Sequence, residues 1–321
     1  MFAPASIPTP DWNGFTIGPF EIRAYALCIL VGIALAIWIT GARLKRRGVD
    51  PGIAIDAALW AVPLGIIAAR LYHVLTHPGD YFYAGADLWE IVRIWDGGIA
   101  IFGSILGGLV GIWIATRIAG VRFSAFIDAL APGMLVAQGI GRLGNWFNGE
   151  LFGVPTDMPW GLEIPTTNAA FPHGLPDTTL FHPLFLYEMI WDLLGAAVLL
   201  WASRKFLLQW GRVFALYAMW YGVGRFWLEG IRIDPTQLVL GIQFNQLVAG
   251  VFALFGLVLF LWLGRRHPGL EPSAYLPGRA PVPSDEDAGE SDQASDSGSG
   301  PASAAVDDGP EHVESENASS K

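Results

Sequence analysis

Seven stretches of this chain are apolar for long enough to cross about 30 Å of hydrocarbon. They fall at approximately 20–41, 53–76, 98–118, 124–144, 183–203, 212–229 and 243–264. Seven such runs in 321 residues cannot all be hidden in one water-soluble core. Inside lipid the backbone must satisfy its own hydrogen bonds, which leaves helices or a closed barrel, and runs this long and continuous are helical. The expected fold is an all-α integral membrane protein with seven transmembrane helices. The 14 tryptophans, many near the ends of apolar runs, fit interfacial belts.

The loops set the expected orientation. Arg43, Lys45, Arg46 and Arg47 follow the first run, and Arg117 and Arg122 flank the turn after the third. Arg204, Lys205 and Arg212 follow the fifth, while Arg265 and Arg266 end the seventh. The alternate loops are poor in Lys and Arg, so the positive-inside rule puts the N-terminus outside and the C-terminus in the cytoplasm. Residues 1–19 read as an extracytoplasmic segment, and 20–267 as the membrane domain. The long Pro-rich loop 145–182 reads as a small outer cap. From Pro268 onward there are 12 acidic and 2 basic residues and few large apolar ones. That segment, 268–321, is expected to be a disordered acidic cytoplasmic tail. The net charge of −10 therefore belongs to the tail. No basic patch interleaved with aromatics points to nucleic acid. The single cysteine, Cys28, has no partner for a disulfide or zinc site.

Two sets of polar residues stand out from the apolar background. Gly139–Gly153 carries Arg142, Asn145, Asn148 and Glu150 among five glycines. On a continuing helix Asn145 lies about 60° back from Arg142 and Glu150 about 80° forward. Tyr221, Arg225, Glu229 and Arg232 fall within about 80° of one another on a helical wheel. Each set has two readings: ion pairs that fix helix packing, or a functional site, the default for ionisable residues within a membrane.

Two arginines converging in an apolar setting suit a phosphate, because guanidinium binds its oxygens bidentately and stays charged. In a membrane that phosphate belongs to a lipid head group. A lipid-modifying enzyme, a phospholipid transporter or flippase, and a structural scaffold all remain open at this point. The Asp96–Ser104 segment reads as a helix start with small residues, whose free N–H groups could bind an anion, though close helix packing is its simplest role.

The run G-R-L-G-N-W-F-N-G-E-L-F-G at 141–153 resembles the signature of the prolipoprotein diacylglyceryl transferases, bacterial inner-membrane enzymes of lipoprotein maturation. Gly141, Arg142, Gly144, Asn145, Asn148, Glu150 and Gly153 carry the likeness. So do Tyr25, the D-G-G-I-A-I run at 96–101, H-P-x-x-x-Y-E at 182–188, and the Tyr221/Arg225/Glu229/Arg232 set. The resemblance covers about residues 12–267. It implies transfer of the diacylglyceryl group of phosphatidylglycerol to the lipobox cysteine of a preprolipoprotein signal peptide. The products are a thioether and glycerol 1-phosphate, made at the outer side of the bacterial plasma membrane.

No metal and no organic cofactor is implied. By the same resemblance Arg142 and Arg225, with Tyr25 and Glu150, are the catalytic set. Arg142, Asn145, Asn148, Gly153, His182, Tyr221, Arg225, Glu229 and Arg232 hold phosphatidylglycerol. Where many relatives have a histidine assigned as a base, this chain has Phe102. Phenylalanine takes no proton, so His182, Tyr25 and Glu150 are the substitutes to consider.

Overall fold

The computed structural model describes residues 5–233, 238–239 and 241–281. The described residues up to Arg279 form one compact unit. Among the described residues there are seven helices of 18 or more residues: α1 Ala24–Lys45, α2 Ile53–Thr76, α3 Ile101–Ile118, α4 Phe123–Asn148, α5 Leu184–Lys205, α6 Arg212–Glu229 and α7 Phe244–Arg266. Six are long and apolar enough to cross a membrane. The exception is α6, whose 18 residues include Arg212, Arg225 and Glu229.

The central helix is α4. α1 lies along it, α5 and α6 pack on it, α7 lies along α6, and α2 pairs with α3. The last pairing uses a glycine stripe. Gly103, Gly107 and Gly111 repeat every fourth residue, and a Cβ at any of them would strike the α2 backbone. Removing side chains at this spacing lets two helices approach closely where lipid supplies no hydrophobic drive. The Gly-rich start of the third run thus serves packing from Gly103 onward.

The ends of the bundle differ. At one end lie the last turns of α1, α3, α5 and α7, with Arg43, Lys45, Arg117, Arg204, Lys205, Arg265 and Arg266. Arg122 and Arg212 open α4 and α6 at the same end. Here the buried Asp128 accepts from the backbone N–H of Gly211 at 2.8 Å and of Phe214 at 3.0 Å, capping α6 from a neighbouring helix. Arg43 donates to the Asp128 carbonyl oxygen at 3.2 Å and to Ser203 Oγ at 3.1 Å.

At the other end is a cap. A short strand β1 (Ile7–Pro8) pairs in parallel with β4 (Leu162–Glu163), which pairs antiparallel with β5 (Leu180–Phe181). The hairpin β2 (Gly14–Ile17) and β3 (Phe20–Arg23) leads into α1. Phe152, Leu162, Ile164, Phe181 and Phe185 form the core beneath the cap. Arg70 of α2 holds the 90–98 segment by donating to the carbonyl oxygens of Glu90, Ile91, Gly97 and Gly98.

Two expected boundaries shift. The fourth helix runs on to Asn148, where Gly149, at φ +60°, ends it in the left-handed conformation that glycine adopts without a Cβ penalty. The unpacked tail does not begin at Pro268. Glu271, Ala274 and Tyr275 are buried. Tyr275 bridges Val121, and Leu276 N–H donates to Gly120 O at 2.7 Å. Composition hid this because the strap carries only a few large apolar residues and anchors itself largely through backbone bonds and Glu271. The rest of the expected tail, 282–321, lies outside the described residues, as do residues 1–4 of the N-terminal segment.

Candidate functional site

Polar residues of α4, α5 and α6 meet at the cap end of the bundle. Glu188 of α5 is the hub. Its carboxylate pairs with Arg142 Nε of α4 and, at 2.9 Å, with Arg225 Nη1 of α6. Arg225 Nη2 also reaches Glu229 Oε2 at 2.7 Å, one turn along its own helix. Arg232 Nη1 stands 3.6 Å from that same oxygen, and Asn245 Nδ2, at the head of α7, donates to Glu229 Oε1 at 2.7 Å. Five charges of alternating sign thus run from Arg142 through Glu188, Arg225 and Glu229 to Arg232. All are largely shielded; the Glu229 side chain is 1% exposed and that of Glu188 is 9% exposed. Alternation is what makes this burial tolerable, since a desolvated charge without a partner is strongly destabilising.

Glu150 does not sit on the helix face expected of it. The helix ends at Asn148, and the chain turns at Gly149 and folds back, so that Glu150 N–H donates to Asn145 O at 3.1 Å. Its Oε1 then accepts from Asn145 Nδ2 at 3.0 Å and from Asn148 Nδ2 at 3.2 Å. Asn145 in turn accepts from Arg142 Nη1 at 3.4 Å. The carboxylate therefore reaches Arg142 through an amide, while Glu188 pairs with Arg142 directly.

The ring of Tyr25 lies on Gly144, where a Cβ would meet Cε2 at 3.1 Å. This sets Tyr25, at the start of α1, beside the helix turn that carries Arg142 and Asn145. Gly153 is a junction of loops. Its N–H donates to His182 O at 2.9 Å, it bridges Arg232, and Val154 N–H donates to Ile231 O at 2.9 Å. A Cβ on Gly153 would stand 2.9 Å from Ile231 O and 2.7 Å from His182 Cβ. Only glycine fits there, and the fit holds Arg232 against Glu229. The His182 ring turns to Tyr187, with Nδ1 at 3.2 Å from Oη. Asn148 braces Glu150 through its side-chain amide.

Arg142, Glu188, Trp191, Asp192, Tyr221, Gly224, Arg225 and Leu228 line a small half-open cavity of ≈ 10 Å³, room for about one water molecule. One wall is the indole of Trp191. Trp191 and Trp220 stack at 4.6 Å and interlock α5 with α6. Below the cavity Gln138 Nε2 donates to Tyr217 Oη at 2.9 Å.

Sequence reasoning named Arg142, Asn145, Tyr221, Arg225, Glu229 and Arg232, and the structure brings these into one region with Tyr25. It gave Glu188 only as the last residue of the H-P-x-x-x-Y-E pattern, with no role, and did not single out Asp192 or Asn245. Glu188 and Asp192 had a readable signal: two carboxylates one turn apart on an otherwise apolar helix. Nothing in the sequence ties Asn245 to Glu229. Phe102 is half exposed and lies near Tyr72, with ring centroids 6.3 Å apart.

A family model described as prolipoprotein diacylglyceryl transferase matches residues 13–262. The chain is 54% identical over 286 residues to a phosphatidylglycerol–prolipoprotein diacylglyceryl transferase of Leifsonia xyli subsp. xyli, covering 86% of each chain. It is 44% identical over 293 residues to the enzyme of that name from Bifidobacterium longum subsp. infantis, covering 88% of this chain and 92% of the relative. A third relative, phosphatidylglycerol–prolipoprotein diacylglyceryl transferase 2 of Streptomyces coelicolor, is 43% identical over 274 residues, covering 85% and 86%.

Proposed function

We propose a reaction for a chain that belongs, on these similarities, to the prolipoprotein diacylglyceryl transferase family. It moves the diacylglyceryl group of phosphatidylglycerol to the thiol of a lipobox cysteine in a preprolipoprotein, and releases glycerol 1-phosphate. The observation that carries this reading is the meeting of Arg142 and Arg225, from two different helices, on the single carboxylate of Glu188. A carboxylate and a phosphodiester offer the same feature to a guanidinium, a pair of anionic oxygens in one plane. The arrangement is therefore already shaped for a phosphate.

In this reading the protein crosses the bacterial plasma membrane seven times, with its basic end in the cytoplasm and the arginine cluster at the level of the outer head groups. α6 completes the set of spans despite Arg225 and Glu229, since those charges pair inside the bundle. Phosphatidylglycerol enters from the bilayer. Its phosphate displaces Glu188 from one or both arginines, since the cavity is too small to hold both anions. Arg142 and Arg225 then bear the charge that grows on the phosphate as the carbon–oxygen bond breaks, preorganised stabilisation of a developing anion. Glu229, Arg232 and Asn245 hold Arg225 in place. Asn145 and Glu150 do the same for Arg142, with Asn148 bracing Glu150 and Gly153 fixing the Arg232 loop. Tyr25, Tyr221 and His182 line the approach.

A test is turnover by the purified full-length protein with phosphatidylglycerol and a lipobox peptide. Glycerol phosphate should appear only when the peptide carries its cysteine. Folded protein that binds both substrates and releases none would sink the transferase reading. Lipid movement between leaflets without any release would favour a flippase.

A further inference from the structure

We propose that Asp192 accepts the proton of the incoming thiol. This rests on the transferase reading above and supplies the base that Phe102 cannot be. Each other carboxylate near the cavity has at least one oxygen engaged in the free protein. In the free protein Glu188 takes two arginines, and once phosphate displaces it the carboxylate stays in the outer layer with the leaving group; Glu229 takes Arg225, Arg232 and Asn245, and Glu150 takes two side-chain amides on Oε1. Asp192 lines the same cavity, is 5% exposed, and makes no hydrogen bond or ion pair among the described residues. A buried carboxylate with nothing to accept from is costly, and membrane proteins keep such groups where they act on a proton or an ion.

Its depth fits the chemistry. α5 runs inward from the cap, so Asp192 lies one turn, about 6 Å, deeper than Glu188. On α6, Tyr221 is likewise one turn deeper than Arg225. On α4 the matching level is Gly139, where a Cβ would stand 3.4 Å from Asp192 Cβ. The arginines therefore form an outer layer, and Asp192 with Tyr221 a layer beneath it. In phosphatidylglycerol the carbon under attack is bonded to the phosphate on one side and to the acylated glycerol on the other. With the phosphate on the arginines, that carbon faces the deeper layer. Displacement proceeds from the side opposite the leaving oxygen, so the sulfur arrives at the level of Asp192.

The S–H bond breaks and its proton passes to an Asp192 oxygen. Sulfur forms the C–S bond with its freed electron pair. The C–O bond to phosphate breaks, and its pair stays on the departing glycerol phosphate, whose second negative charge Arg142 and Arg225 bear. Protonated Asp192 then returns its proton to that phosphate or to water. The charged and titratable groups around Asp192 are Glu188 on its own helix, Arg142 on α4, and Tyr217, Tyr221 and Arg225 on α6.

The test compares wild type and Asp192→Asn, as full-length protein in lipid nanodiscs, with two lipobox peptides. One carries cysteine; the other carries selenocysteine, whose selenol is ionised at neutral pH and needs no base. General base catalysis contributes about 10²–10⁴-fold. With the cysteine peptide D192N should lose on the order of 100-fold in kcat at neutral pH, with the KM for phosphatidylglycerol within about twofold of wild type. The loss should shrink at least tenfold with selenocysteine, and also as pH rises past about 8.5, where the free thiol ionises by itself. Cysteine turnover within about threefold of wild type, or an equal loss with both peptides, overturns the proposal. Should D192N show no folded melting transition, Asp192→Glu enters the same pair of assays. A displaced but intact carboxylate should again lose more with cysteine than with selenocysteine, and equal losses overturn the proposal. Wild type that releases no glycerol phosphate from either peptide refutes the transferase reading, an outcome visible before any variant is compared.

Discussion

Trp191 and Trp220 exchange hydrogen bonds: each indole N–H donates to the other residue's carbonyl oxygen, at 3.1 and 3.0 Å. Each ring also needs a glycine on the facing helix. Trp220 lies on Gly195 and Trp191 on Gly224, both one turn beyond the partner tryptophan, with the indole nitrogens where a Cβ would go. The result is a near-symmetric clasp between α5 and α6, the two helices that carry Glu188 and Arg225.

Gly195→Ala and Gly224→Ala should each force an indole out of the clasp. Overpacking of this kind costs about 1–3 kcal/mol. Both variants should melt at lower temperature in detergent and show altered tryptophan fluorescence. G224A should also lose more turnover than G195A, because Gly224 lines the cavity. Unchanged melting in both would show that the helices separate freely at this contact.

Glu188 separates binding from chemistry. In the free protein it occupies both arginines, so on the proposed function it competes with phosphate. It also keeps two like charges from repelling each other. Glu188→Gln should lower the KM for phosphatidylglycerol or leave it unchanged, while kcat falls about 10- to 100-fold as the arginines lose their alignment. Arg142→Ala and Arg225→Ala should each reduce turnover by at least about 100-fold. Their effects should be far from additive in the double variant, because on the proposed function both hold one phosphate. A double variant whose loss is the product of the single losses would show two independent roles.

Gly153 tests the loop junction. A Cβ there would press on Ile231 O and on the His182 backbone region, and Arg232 follows directly in the chain. Gly153→Ala should shift Arg232 from Glu229 and reduce turnover at least tenfold with only a small change in melting temperature. A variant that melts much earlier than wild type while the surviving folded fraction works at full rate would show that Gly153 acts on stability alone.

The helices were legible because each apolar run is closed by charge or by glycine. Ile53–Thr76 and Arg212–Glu229 coincide with their expected spans. The candidate site was legible in its arginines, which are expensive in such a setting and therefore conspicuous. Its wiring was not. Helical-wheel angles assume a continuing helix, and Gly149 ends α4 before Glu150, so the partner of Arg142 had to come from elsewhere in the chain. Glu188 lies 46 residues beyond Arg142 in sequence, and only the packing of α5 on α4 and α6 brings it between the arginines. The tryptophan clasp was invisible for a similar reason: an isolated W-x-x-x-G says nothing about which helix it faces.

The segment after α7 fastens the basic end of the bundle. Glu271 pairs with Arg47 at the end of α1, accepts from Ser124 Oγ at 2.8 Å, and has a fully buried side chain. Arg122 N–H donates to Ala274 O at 2.8 Å, and Arg122 Nε to Tyr275 O at 3.1 Å. Residues 271–276 thus tie α7 to α1 and α4, far from the arginine cluster. Removing one partner of a buried pair costs about 3–5 kcal/mol, since the other charge remains desolvated. A protein ending after Pro281 keeps all of these bonds and should match the full chain in melting temperature and turnover. One ending after Gly269 should melt markedly earlier, and Glu271→Ala in the full chain should reproduce most of that loss. In both destabilised proteins the KM for phosphatidylglycerol should remain unchanged at temperatures well below melting. An early-melting E271A with an altered KM would mean that the strap reaches the site through α4 instead of only holding the bundle's basic end together.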